Sequence, residues 1–98
     1  VRRRLIVRPD AEAELATATT WYEEKRRGLG DQLVTAVEAA LSAIEDSPET
    51  WPYWQRGQPY RKYVVMRFPF IVFYTVEAEV VTVVAFAHDK RRPGYWIR

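Results

Sequence analysis

Residues 80–87, Val-Val-Thr-Val-Val-Ala-Phe-Ala, hold one polar side chain in eight positions, with no alternation to set one face apart from the other. A β-branched run of this kind reads as a strand buried on both faces and placed centrally in a sheet, because an edge or a bare face would leave apolar surface in water. The rest of the chain must then supply its neighbours and its cover. Residues 60–66, where Arg61, Tyr63 and Val65 alternate with Lys62, Val64 and Met66, and residues 70–76 are the nearest candidates. The acidic link Glu77-Ala78-Glu79 is a hairpin turn, so these three strands are expected to form an antiparallel meander. Residues 2–7 add a first strand, with Leu5 and Val7 on one face and Arg4 and Ile6 on the other, ended by Pro9.

Between them lie two helices. Pro9 suits a first helical position, and Asp10 and Glu12 fall in the first turn, where the helix dipole favours acids. Ala11, Leu15, Ala18 and Trp21 or Tyr22 recur at helical spacing, so the helix is expected over residues 9–27 with Gly28 capping its C-terminus. Gly28-Leu29-Gly30 makes a tight turn. A second helix is expected from about Asp31, with Leu33, Val37, Leu41 and Ile44 on one stripe and Asp46-Ser47-Pro48 as its stop. Residues 48–59 form a loop rich in proline and aromatics. Trp51 and Tyr53 are expected to finish the core, and Trp54, beside Arg56, to be exposed. The sum is an α+β domain over residues 1–98, β-α-α-β-β-β, with an antiparallel helical hairpin packed on a largely antiparallel sheet.

Ninety-eight residues allow one core, and 48% hydrophobic content is too high for a disordered chain. Absence of cysteine removes thiol catalysis and disulfides and fits a reducing compartment, so the cytoplasm is the expected location. No apolar run reaches the roughly 20 residues that cross a bilayer, and the first eight residues lack a signal peptide's pattern. One His and no Cys give no recognised metal-ligand set, and no cofactor motif is present. A net charge of +2 conceals a strong asymmetry. Residues 1–8 carry four Arg and no acid, residues 9–49 three basic groups against ten acidic, and residues 50–98 eight basic against three acidic. The helices make an acidic side and the strands a basic one, the better place for an acidic partner or a polyanion.

This order of elements, the segment Arg67-Phe68-Pro69-Phe70-Ile71-Val72-Phe73-Tyr74, and the ending Ala87-His88-Asp89-Lys90-Arg91-Arg92-Pro93-Gly94-Tyr95-Trp96 resemble the RelE/ParE superfamily of toxins from bacterial type II toxin-antitoxin systems. Trp21-Tyr22-Glu23, Gly28-Leu29-Gly30 and Ile44-Glu45-Asp46-Ser47-Pro48 add less specific matches. The resemblance implies a growth inhibitor neutralised by a cognate antitoxin in a toxin-antitoxin hetero-oligomer. It leaves two targets open: ribosome-bound mRNA, which RelE-like members cut, and DNA gyrase, which ParE-like members poison. The ribonucleases typically carry an Arg three residues before the Tyr that matches Tyr74. Here that residue is Ile71, which, with the Phe-Pro-Phe sequence before the strand, tips the resemblance toward the ParE-like side.

The two targets draw on different residues of the basic side and the tail. For RNA cleavage, His88 would serve as acid or base, Lys90 and Arg91 would steady phosphate, and Tyr95 would stack or donate a proton. For binding, Arg61, Lys62, Arg67 and Arg92 supply charge, and Trp54 and Trp96 supply contact area. A plainer reading stands beside these: His88 caps a strand end, the arginines are solvated, and Tyr95 and Trp96 seal the edge of the core. A non-toxic binding domain of the same fold is a further alternative. The antitoxin is expected in a groove between hairpin and sheet, its acids meeting Arg61, Arg67 and the tail.

Overall fold

The structure, a computed structural model, describes residues 4–97. Strand β1 (Arg4–Val7) leads into helix α1 (Pro9–Lys25) and helix α2 (Leu29–Asp46), and a long loop joins these to β2 (Arg61–Val64), β3 (Phe70–Glu77) and β4 (Val80–His88). The sheet order is β1-β4-β3-β2, with β1 parallel to β4 and the other pairs antiparallel. The apolar run is therefore central, as its composition requires. Leu5 and Val7 turn toward the main core and Arg4 and Ile6 outward; the residues of this strand before Arg4 lie outside the described residues.

The helical hairpin is tighter than the sequence reading. Arg26 leaves the helix in an extended conformation, so α1 ends at Lys25 rather than at residue 27. Gly28, at φ +87°, starts α2 instead of capping α1, a backbone conformation that glycine adopts without steric cost. Glu23 makes this early start possible. Its carboxylate accepts the amide N–H groups of Gly28 at 2.9 Å and Gly30 at 3.0 Å, two donors at the N-terminus of α2. A Cβ on Gly30 would stand 2.9 Å from the Thr19 carbonyl oxygen, so the small residue lets the helices close on one another.

Two cores form, one on each face of the sheet. Leu33, Val37, Ala40 and Ile44 of α2 and Ala11 of α1 pack on Val65, Val72, Tyr74, Val81, Val83 and Phe86. On the opposite face Phe73, Val84, Ala85 and Ala87 lie beneath Trp96. A bulge explains how β4 feeds both: Phe73 pairs with Ala85 and Tyr74 with Val83, so Val84 is the extra residue, and it points to the same side as Ala85. Strand β2 is shorter than expected because the chain turns sharply after Val65, with Arg67 at φ 71°. Its backbone still meets β3 once more, through the Val65 N–H to Phe70 O bond of 2.9 Å.

The loop over residues 47–60 is held by side chains. The Tyr74 hydroxyl, wholly buried, donates to the Pro48 carbonyl at 2.6 Å. Arg61 donates to the carbonyls of Trp51 at 2.6 Å and Glu49 at 3.2 Å, and to the Tyr53 hydroxyl at 3.0 Å. Among the described residues no helix is long and apolar enough to cross a membrane.

Candidate functional site

Helix α1 covers the end of the sheet incompletely. Tyr22 turns inward and packs edge-on against Phe68 and Phe70, while Trp21, one residue earlier, faces out at 52% exposure. Between this helix, the start of β3 and the end of β4 lies a groove of about 540 Å³. Ala13, Thr17, Ala18, Trp21 and Tyr22 form one wall, and Phe70, Phe86 and His88 the other. Glu14 and Arg91 complete the lining. The lining is mainly hydrocarbon and aromatic, the kind of concavity that takes a large side chain or an apolar helix face.

Glu14 organises the neighbouring tail. One carboxylate oxygen accepts the Phe86 amide N–H at 3.1 Å, on the edge of β4 beyond its pairing with β1. The other accepts from Arg91 Nη1 at 3.0 Å and from the Tyr95 hydroxyl. The Arg91 guanidinium also lies 3.5 Å above the Tyr95 ring. Burial, then the hydrogen bond to Glu14 and its charge, hold the Tyr95 phenol above its ordinary range, with Arg91 acting in the opposite sense.

The sequence-predicted residues divide accordingly. His88 sits at the rim of the groove with its ring edge-on to Phe70, and its Nδ1 accepts the Lys90 amide N–H at 3.1 Å, the strand-end cap of the plainer reading. Arg91 and Tyr95 come together, on Glu14. Lys90, Arg92 and Arg67 are exposed. Arg61 is turned into the loop, its guanidinium 4.0 Å over the Tyr53 ring, so its side chain is engaged within the chain. Lys62 pairs with Phe73 across the strands and Phe70 with His88, which places Lys62 and His88 on opposite faces of the sheet.

Three aromatic expectations change. Trp54, expected at the surface, is half-buried against Phe73 and Trp96 in the second core, since Gly94 at φ +98° lets the tail pass close to its ring. Tyr53, expected in the core, is 54% exposed under Arg61. Trp51 does pack inward, edge-on to Tyr63. Trp96 is 3% exposed and stacks on Phe73 at 4.3 Å, so its ring serves the second core and presents almost no surface for contact.

Sequence reasoning missed Glu14 and the outward face of α1. The signal was present: Glu14, Thr17 and Trp21 recur at i, i+3 and i+7, a stripe beside the core stripe of Ala11, Leu15, Ala18 and Tyr22. A tryptophan on it is unusual for a solvated face.

A hairpin of two helices on a four-stranded sheet with one parallel edge, carrying an apolar groove and a basic tail, is the α+β architecture of the RelE/ParE superfamily. Residues 5–93 match the family described as the ParE toxin of the type II toxin-antitoxin system parDE. The chain belongs to that family and is the toxin component of such a system. No curated protein matches the sequence. Among solved structures the fold is similar to one described as the chromosomal ParDE TA system from P. aeruginosa, with a TM-score of 0.67 at 13% identity, covering 89% of this chain and 96% of that one.

Proposed function

We propose that this toxin arrests growth in the cytoplasm by acting on DNA gyrase without cutting RNA, and that a cognate antitoxin neutralises it by seating an apolar segment in the groove between α1 and the sheet. The observation that supports a non-hydrolytic toxin most strongly is the state of the tail. An RNase would need Arg91 and Tyr95 turned toward phosphate, whereas both are bound to Glu14. The Tyr95 phenol, its ionisation made harder by burial, is a poor proton donor. Ile71, where ribonuclease relatives place an Arg, packs against the second core.

Docking in the groove is supported by Trp21, a large aromatic left half in water at the mouth of an apolar cleft. Inducing the chain alone in a bacterial host tests the target. Arrest with intact transcripts and an SOS response is expected, while codon-phased transcript cleavage would overturn the gyrase reading.

A further inference from the structure

The groove has two strongly charged side chains in its wall, and each is the other's partner. Glu14 and Arg91 both line it, with Oε2 and Nη1 3.0 Å apart. Among the described lining residues Glu14 is the one acid, and its side chain is only 18% exposed. Lys25 holds its ammonium 4.7 Å over the Trp21 ring, and His88 lines the groove.

A carboxylate entering this groove meets an arginine whose charge is already compensated. To pair with Arg91 it must either crowd against Glu14 or displace it. Displacement strands the Phe86 amide N–H and the Tyr95 hydroxyl, two partly buried donors that lose a charged acceptor. An uncharged side chain meets no such obstacle, because Trp21, Phe70 and Phe86 offer it apolar surface.

We propose that Glu14 sets the specificity of the groove: by occupying Arg91 and Tyr95 it closes the tail against α1 and reserves the cleft for an uncharged apolar side chain of the partner, excluding an acidic one. The proposal rests on the docking reading above and reverses the expectation that the antitoxin's acids meet the tail here. Any acidic residues of the partner then contact the exposed cations outside the cleft.

The test uses two fluorescent probes with the same ring system on the free toxin, neutral N-phenyl-1-naphthylamine and anionic 8-anilino-1-naphthalenesulfonate. The parent is expected to bind the neutral probe at least about fivefold more tightly, and Trp21→Ala to weaken it, which locates the site. Glu14→Gln is expected to raise affinity for the sulfonate at least about fivefold and to leave the neutral probe within about twofold. In the double variant Glu14→Gln, Arg91→Gln the gain for the sulfonate is expected to vanish, since Arg91 is the cation that Glu14 withholds from an anion. A parent that prefers the sulfonate, an unchanged sulfonate affinity in Glu14→Gln, or a gain that persists in the double variant overturns the proposal. Failure of the docking reading shows separately, as an antitoxin that binds Trp21→Ala as tightly as the parent.

Discussion

Both faces of the sheet carry an apolar core, but they are finished differently. On the far face the loop and the tail bring Trp54, Tyr60 and Trp96 down on Phe73, and Trp96 is almost wholly buried. On the near face the helices bury Leu33, Val37 and Ile44 fully, yet α1 leaves Trp21 half in water beside Phe70 and Phe86. The centre of the far face is completed within the chain, with Ile6 and Val64 left exposed toward its edges. The near face is left open along one groove. Aromatic residues thus carry opposite duties a short distance apart: those closing the far face stabilise the fold, and those lining the groove are available to a partner.

Substitutions should separate these duties. Trp96→Ala removes the ring stacked on Phe73 and should cost about 3–5 kcal/mol, read as a large fall in melting temperature or denaturant midpoint. A loss under 1 kcal/mol, on the same scale as surface changes, would mean that the tail does not close the far core. Tyr74→Phe leaves the Pro48 carbonyl without its donor and should cost about 1–3 kcal/mol.

Tyr74 also ties stability to pH. Burial, opposed weakly by the Arg61 charge, raises its phenol above the ordinary 10.0. Above that pH the unfolded chain loses the proton while the folded chain keeps it. Stability is therefore fully present below about pH 10 and falls as pH rises toward the folded value. Tyr95, raised chiefly by burial, adds to the same loss. Equilibrium unfolding between pH 8 and 11 should show a decline that is shallower in Tyr74→Phe, and equal slopes would break the link. Arg61→Ala should cost roughly 1–2 kcal/mol through three lost loop bonds, with limited proteolysis of residues 47–60 rising. Trp21→Ala should change stability least, by about 0.5 kcal/mol or less.

Much of the fold was legible because the apolar run of residues 80–87 admits few placements. Central burial of that strand follows from its lack of alternation, the hairpin at Glu77-Ala78-Glu79 from its short acidic link, and the stripe through Leu33, Val37 and Ile44 from helical periodicity. The bulge at Val84 was hidden by that same run, since a strand apolar on both faces does not reveal a shift in register. Helix boundaries slipped where a distant side chain intervened: Glu23 reaches Gly28 and Gly30 across the turn and starts α2 two residues early. In the site, residue type gave the basic tail but not its acceptor. Glu14 lies more than seventy positions from Arg91 and Tyr95, and only the fold brings it to them. Arg61 illustrates the converse, a cation that reads as a contact for an acidic partner and is engaged by its own loop.

The central claim is that the groove beside Trp21 is where the antitoxin acts. Calorimetric titration of the parent and of Trp21→Ala with the cognate antitoxin, at one salt concentration and with melting temperatures recorded alongside, tests it most directly. The account predicts at least about tenfold weaker binding by Trp21→Ala with an unchanged melting temperature; equal affinities would contradict it.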